Sequence, residues 1–191
     1  MQDKLKQLLK MKIYKSTEDV DFLKNGILFL DNNALVAIIN NEVDFAPFLK
    51  TIIDNQCILM IIPSIGFEFS RTDSIKDYSR RNEFIKEYLT VYPIERYMEK
   101  QIAKLKEYIF VIQNIMGKIS YSDFLLYCCL YLFPINGFVM TEDHHHFSTI
   151  LLERKILLTT DDDRETIRNL AIYGFNKTKY EKAAQNILRH K

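Results

Sequence analysis

Short apolar runs that end in polar residues divide the chain into predicted strands. Gly26 to Leu30 (GILFL) is followed at once by Asp31-Asn32-Asn33, and Cys57 to Ile62 (CILMII) is closed by Pro63. Runs of this length, bounded by turn-forming residues, are typical of strands buried in a parallel sheet. Phe138 to Met140 and Ile156 to Leu158 have the same character. The pattern therefore predicts four strands.

Apolar residues at three- and four-residue spacing predict helices around these strands. The predicted helices are an N-terminal one within 1–20 and others at 34–40, 44–54, 63–71, 74–89, 94–112, 124–133, 144–154, 164–173 and 179–190. Residues 72–117 carry no strand signal and form a helical insertion. Because strands alternate with helices, we expect an α/β fold, three-layer α/β/α with a central, mostly parallel sheet, in a single domain spanning 1–191.

Composition and charge narrow the class of protein. The 191 residues are 48% hydrophobic and 27% charged, as in a globular domain, and the net charge of +1 leaves room only for a local basic patch. Three cysteines form no disulfide framework, which fits a cytoplasmic setting. The N-terminus lacks the apolar core of a signal peptide, and the longest apolar run, 124–133, is too short to span a membrane.

Four acidic residues lie at comparable junctions between predicted elements. Asp31 follows the first strand, Glu68 lies in the helix after the second, Asp123 opens a helix and Asp143 follows the third strand. Taken singly, they are explained by an Asx turn, a solvated helix position, a capping box with Ser120 and a helix N-cap. The spacing by itself does not separate these roles from a shared site.

Taken together, the acids indicate a metal site. The carboxyl ends of parallel strands meet at one edge of a sheet, so Asp31 and Asp143 are expected in the same crevice. Converging carboxylates repel one another and raise their pKa values unless a cation lies among them. Carboxylate oxygens with open water positions suit Mg²⁺ or Mn²⁺, ions that assist in-line displacement at phosphorus.

The same segments resemble the PIN-domain family of metal-dependent ribonucleases, in order from about residue 25 to 160. The matching segments are LDNNALV (30–36), IIPSIGFEF (61–69), SDFLLYCCL (122–130) and TED (141–143). The resemblance implies a compact α/β/α sheet and endonucleolytic cleavage of RNA, single-stranded or structured, that leaves 5′-phosphate and 3′-hydroxyl ends. An inhibitory protein partner and a homodimer are also compatible with it.

The resemblance also implies roles for individual residues. Asp31, Glu68, Asp123 and Asp143 are the implied metal-binding and catalytic acids, and Asn33 and Thr141 match polar positions that support the site. Two departures stand out. Asn32 occupies a position where the family usually has Thr or Ser, and His144-His145-His146 stands where a further acid is common, which puts a second metal site in question.

Further candidates have two interpretations each. The histidine triplet is either a solvated helix start or a metal site of its own, and His144 could lie near the acids and contact substrate. Arg71, with Arg80 and Arg81, could flank the crevice with positive charge or lie on a solvated helix face. The acidic run 161–163 is interpreted as a loop and helix cap.

Other functions were weighed against the nuclease. Asn33 stands where a phosphatase with an aspartyl nucleophile needs a second acid, and neither a phosphate-binding glycine loop nor a G-x-S-x-G motif is present. The main alternative is a catalytically inactive PIN-like module that binds RNA or a protein through its helical surfaces. The complete set of four acids favours the enzyme.

Overall fold

The computed structural model describes residues 17–161 and 167–189. Its strands are β1 Ile27–Leu30, β2 Ile58–Ile61, β3 Thr90–Val91, β4 Gly137–Thr141, β5 Leu152–Asp161 and β6 Ile167–Phe175. A 3₁₀ helix at Thr17–Leu23 precedes them, and the α-helices are α1 Asn32–Asn40, α2 Glu42–Asp54, α3 Pro63–Ser70, α4 Ile75–Tyr88, α5 Ile94–Met116, α6 Tyr121–Leu132 and α7 Lys177–Leu188.

The described strands form one mixed sheet in the order β3-β2-β1-β4-β6-β5. β1 pairs in parallel with both β2 and β4, and β2 pairs in parallel with β3. The antiparallel pairs are β4 with β6 and β6 with β5. The predicted α/β class and mostly parallel sheet are therefore confirmed, and β1 and β4 are direct neighbours, as the acid pattern required.

Chain direction assigns the helices to the two faces of the sheet. The chain moves across the sheet from β1 to β2 to β3, and it then returns past β2 and β1 to β4. Because parallel crossovers are right-handed, α1 to α4 cover one face, and α5 and α6 cover the other. The arrangement is compatible with a three-layer α/β/α fold.

Two predicted helices are wrong. Residues 144–154 form a turn at 144–146 and then enter β5, and the segment predicted as a helix at 164–173 contributes instead to β6. The apolar stretch of β6 is buried because it lies between β4 and β5. A short apolar run is compatible with either a helix or a buried strand, and pairing with neighbouring strands decided the outcome.

Residues 72–117 contain the predicted helices, α4 and α5, and also the strand β3, which the sequence did not predict. Between these helices the two residues of β3 add a parallel edge strand to β2, with Met60 opposite Thr90. Most of the predicted N-terminal helix falls on residues 1–16, outside the described residues. In the described part of the chain, no helix combines the length and the apolar character needed to cross a membrane.

Buried packing fixes the elements that carry the acids. Leu28, Phe29 and Leu30 of β1 are fully buried, and β4 is buried along its length. α6 is held from outside by α5, where the Tyr108 hydroxyl donates a hydrogen bond of 2.9 Å to the Tyr127 carbonyl oxygen. The carboxyl edge of β1 and β4 is thus a rigid platform rather than a surface loop.

Gly137 provides a test of this packing. A Cβ atom at this first residue of β4 would lie 2.6 Å from both Cβ and the carbonyl oxygen of Phe133. We expect Gly137→Ala to lower the free energy of unfolding by about 1–3 kcal/mol, because an overpacked position must shift backbone. Urea denaturation followed by circular dichroism measures this change.

Gly66→Ala is the matched control. Its Cβ would meet only the flexible tip of Ile61 at 3.2 Å, within helix α3. The gain in helix propensity offsets that contact, so the free energy of unfolding should stay within about 1 kcal/mol of the wild type. Equal losses in the two variants would contradict the close approach at β4.

Candidate metal centre

Asp31 joins the end of β1 to the start of α1. Its Oδ1 accepts a hydrogen bond of 2.7 Å from the Asn32 amide, so it is the N-cap of α1. Its Oδ2 accepts a hydrogen bond of 2.7 Å from the Thr141 hydroxyl at the end of β4. Asp31 is only 6% exposed. The carboxylate is therefore held between two neighbouring strand ends.

Thr141 is the centre of a polar network at this edge. While its hydroxyl donates to Asp31, its oxygen accepts hydrogen bonds from the Asn33 side-chain amide at 3.2 Å and from the Asp143 backbone amide at 3.0 Å. Asn33 Oδ1 in turn accepts from the Glu142 amide at 2.9 Å. Asn33 and Thr141 thus fix the loop after β4 against the start of α1.

Asp123 enters the same region from the first turn of α6. The hydroxyl of Ser120 accepts a hydrogen bond of 3.0 Å from the Asp123 amide, which confirms the predicted helix start. Asp123 is 7% exposed, and its Oδ2 lies 3.5 Å from Nδ1 of His146. The capping interaction therefore directs a largely buried carboxylate at the centre.

Asp143 and His146 form the other side of the centre. Asp143 Oδ1 accepts hydrogen bonds from the amides of His145 at 3.1 Å and His146 at 2.8 Å. Its Oδ2 lies 2.7 Å from His146 Nδ1. The predicted capping role of Asp143 is thus realised in a turn rather than in a helix.

Glu68 completes the set from α3. Its Oε1 accepts a hydrogen bond of 2.6 Å from the hydroxyl of Ser122, which links α3 to α6 across the sheet edge. Ile65 and Phe69, its neighbours on the same helix, are fully buried. Glu68 therefore lies on a fixed helix, with one carboxylate oxygen bound to the residue next to Asp123.

The electrostatics show that the four acids influence one another. Burial raises the pKa of Asp31 and the negative charges of Asp123 and Glu68 add to this effect, so that, against the hydrogen bonds from Thr141 and Asn32, the pKa lies at about 6. Burial, with a contribution from Asp143, also raises the pKa of Asp123. Repulsion among these groups is the expected cost of a shared site without its cation.

Asp143 differs from the two buried acids. Burial raises its pKa, but the hydrogen bonds from His146 and the amide of His145, with the charge of His146, outweigh that effect and bring the pKa below its ordinary value. Of the three aspartates, Asp143 is therefore the most readily ionised. The centre has one buried end, at Asp31, and one partly exposed end, at Asp143.

Among the described residues, Asp123, Asp143 and His146 have donor atoms within 4.8 Å of one another, whereas Asp31 is joined to this group through Thr141 and Glu68 through Ser122. Not every predicted candidate lies here. The ring of His144 lies 2.8 Å from the Tyr173 hydroxyl and 3.0 Å from the Asn169 carbonyl oxygen, so it faces β6. Arg71 is an exposed residue at the end of α3. The predicted placement of His144 beside the acids is replaced by that of His146.

The neighbouring arginines are occupied in the fold. Arg80 pairs with Glu42 at 2.9 Å and donates to the Ile39 carbonyl oxygen. Arg81 donates to the carbonyl oxygens of Phe69 at 2.9 Å and Arg71 at 3.0 Å. Both fasten α4 to its neighbours. Of the acidic run, residue 161 ends β5, and residues 162–163 lie outside the described residues.

Two residues of the centre were missed in the sequence. His146 is three positions after Asp143, a spacing at which side chains meet in a turn or helix, but three adjacent histidines obscured which one it was. Ser122 stands next to Asp123 and gave no signal of its own. Its role depends on α3 and α6 being adjacent, which no local pattern specifies.

The donor set fits a hard divalent cation. Three aspartates and a glutamate offer oxygen ligands of the kind that Mg²⁺ and Mn²⁺ prefer. Oδ1 of Asn32, beside Asp31, is buried and has no hydrogen-bond partner among the described residues. A polar atom left in that state is costly unless a further polar group binds nearby. The residues present are therefore compatible with a bound ion and its waters.

Comparison of the chain with protein-family models, with curated proteins and with solved structures gives no match. The geometry and chemistry of the site are thus the basis for its function.

Asp31 makes the stability of the metal-free protein depend on pH. Well below pH 4 its carboxyl is protonated in the folded and unfolded states alike. Between about pH 4 and pH 6 the unfolded state ionises while the buried carboxyl of the folded state keeps its proton, so stability is lost across this window and stays lower above it. We expect Asp31→Asn to unfold with a free energy about 3 kcal/mol higher than wild type at pH 7 in EDTA, and nearly equal to it at pH 4.

Urea denaturation at both pH values measures this difference. Asp73→Asn, which removes an exposed acid before α4, should follow the wild-type pH profile. A stability difference between Asp31→Asn and wild type that is the same at pH 4 and pH 7 would show that burial does not penalise the charge.

The hydroxyl of Thr141 has a separable contribution. Thr141→Val keeps the shape but leaves Asp31 Oδ2, the Asn33 amide and the Asp143 amide without this partner, so the free energy of unfolding should fall by about 2–3 kcal/mol. Thr141→Ser keeps the hydroxyl and loses one methyl group, at a cost of about 1 kcal/mol. Chemical denaturation at pH 7 ranks the variants by their free energy of unfolding. A serine variant that is less stable than the valine variant would contradict this hydrogen-bond network.

Proposed function

We propose that the protein is a metal-dependent endoribonuclease of the PIN-like type, using Mg²⁺ or Mn²⁺. The observation that carries the proposal is the group of Asp123, Asp143 and His146, whose donor atoms lie within 4.8 Å of one another, with the largely buried Asp31 joined to it through Thr141 and Glu68 joined to it through Ser122. Burial first, and neighbouring negative charges second, raise the pKa values of Asp31 and Asp123, and a divalent cation at this edge would offset that cost. The ordered motif resemblance supports the same activity.

The roles of the acids follow from their positions. Asp31, Asp123 and Asp143 would hold the ion directly, and Glu68 would hold it or orient a water molecule together with Ser122. When bound, such an ion supplies Lewis acidity toward a phosphate oxygen and lowers the pKa of water. Thr141 and Asn33 keep the carboxylates oriented through the network described above.

A positively charged side chain, that of Arg168, lies beside this edge. β6 continues past the last residue of β4, since Thr141 pairs with Ala171 and residues 167–170 extend beyond it. This extension places Arg168 with Nη1 3.5 Å from the Glu142 carboxylate, next to Asp143. Arg168 can thus offset the negative potential of the acids when a phosphate backbone approaches, a role that the arginines of α4 do not fill.

We predict that the wild-type protein cleaves a pool of single-stranded RNA in Mn²⁺ or Mg²⁺ and not in EDTA. Asp31→Asn and Asp143→Asn should each reduce the cleavage rate at least about 100-fold, because the ion contributes several kcal/mol to the transition state. Gel analysis of end-labelled RNA measures the rate and the product ends.

Asp73→Asn, purified in the same way, controls for contaminating nucleases, and circular dichroism checks the folding of each variant. A second readout is thermal stability. A divalent ion at 100 times its Kd raises the free energy of unfolding by about 2.7 kcal/mol, so the melting temperature of the wild type should rise and that of Asp31→Asn should not. Cleavage that persists in both variants would overturn the nuclease proposal, and so would a wild type that neither binds the ion nor cleaves RNA. The RNA- or protein-binding module would then be the remaining interpretation.

A further inference from the structure

His146 contributes a nitrogen atom to the centre, beside the carboxylates of Asp143 and Asp123. Its Nδ1 is 2.7 Å from Asp143 Oδ2 and 3.5 Å from Asp123 Oδ2. One donor atom from each of these three residues can be chosen so that all lie within 4.8 Å of one another. The cluster is therefore a mixed nitrogen and oxygen donor set rather than a group of acids alone.

The separations match those of ligands on one ion. For metal–ligand distances of about 2.1 Å, two ligand atoms lie about 3.0 Å apart at an angle of 90° and about 3.4 Å apart at a tetrahedral angle. The observed 2.7 and 3.5 Å lie close to these values. Small side-chain movements would bring the three donor atoms to bonding distance of a common ion.

The backbone of His146 is fixed on both sides. Its amide donates to Asp143 Oδ1 at 2.8 Å, and its carbonyl oxygen accepts a hydrogen bond of 2.7 Å from the hydroxyl of Tyr127, which is fully buried. The Tyr127 ring stacks on Phe147 with the planes 2° apart. Residue 146 is thus anchored to α6, the helix that also carries Asp123, so ligand and acid belong to one rigid unit.

We propose that His146 is a metal ligand through Nδ1, and that it gives the centre a preference for first-row transition ions over Mg²⁺. This inference rests on the proposed function. Imidazole nitrogen binds Co²⁺, Zn²⁺ and, less tightly, Mn²⁺, whereas Mg²⁺ takes oxygen ligands almost exclusively. The neutral tautomer with its proton on Nε2 presents the Nδ1 lone pair to the ion.

Binding of Co²⁺, Mn²⁺ and Mg²⁺, each titrated alone by isothermal calorimetry, tests the proposal in wild type and His146→Asn. The variant should bind Co²⁺ at least about tenfold more weakly, the lower limit seen when even a residue supporting a ligand is lost. Its Mn²⁺ affinity should fall less, and its Mg²⁺ affinity should stay the same. His145→Asn is the matched control, because the exposed His145 contributes only its backbone amide to Asp143.

Pulsed EPR of bound Mn²⁺ gives a readout that needs no comparison of affinities. The wild type and His145→Asn should show coupling to an imidazole ¹⁴N nucleus, and His146→Asn should lack it. If the wild type shows no such coupling, or if the His146 substitution weakens all three ions equally or none of them, the proposal is overturned and His146 is only an ion-pair partner of Asp143.

These outcomes are distinguishable from failure of the nuclease. Ion binding and RNA cleavage without nitrogen coupling would reject the His146 ligand and leave the proposed function intact. A wild type that binds none of the three ions would reject both. Circular dichroism of His146→Asn excludes unfolding as the cause of a lost affinity.

Discussion

The hydrogen bond from the Thr141 hydroxyl to Asp31 Oδ2 is the interaction on which the candidate centre depends. It joins the ends of two parallel strands whose register is fixed by the buried core, so a carboxylate is retained at a place where almost no solvent reaches it. Because that hydroxyl donates its one proton to Asp31, it can only accept hydrogen bonds from the other two groups, the amides of Asn33 and Asp143. The direction of the Thr141 hydrogen bond therefore sets which of these groups donate and which accept.

The local interpretations of the acids are confirmed in the structure, and they are compatible with a shared site. Asp31 caps α1, Asp123 pairs with Ser120 at the start of α6, and Asp143 caps the turn after β4. These interactions hold the carboxylates of Asp31 and Asp143 in defined rotamers, with one oxygen of each directed at a residue of the centre, Thr141 and His146 respectively. Element ends stabilised in this way hold side chains in fixed positions, as a preorganised site requires.

The two ends of the centre differ in their electrostatics. Asp31 is buried and has a raised pKa, whereas Asp143 is partly exposed, contacts His146 and has a lowered pKa. Arg168, on the part of β6 that extends beyond β4, lies on the Asp143 side through its contact with Glu142. The β6 side of the centre is therefore the less buried side and the one with positive charge.

The sequence by itself determined the strand that ends at Asp31, the capping box at Ser120, the helical insertion and the set of acids, because these depend on periodicity and turn chemistry within a few residues. The tertiary structure alone decided that residues 167–175 form a strand, that Ser122 contacts Glu68, and that His146 rather than His144 faces the acids. A short apolar run has no preferred partner until a neighbouring strand pairs with it, and the direction of a side chain in a turn is set by the groups around it. Both outcomes depend on contacts between elements that are distant in the sequence, so no local sequence pattern predicts them.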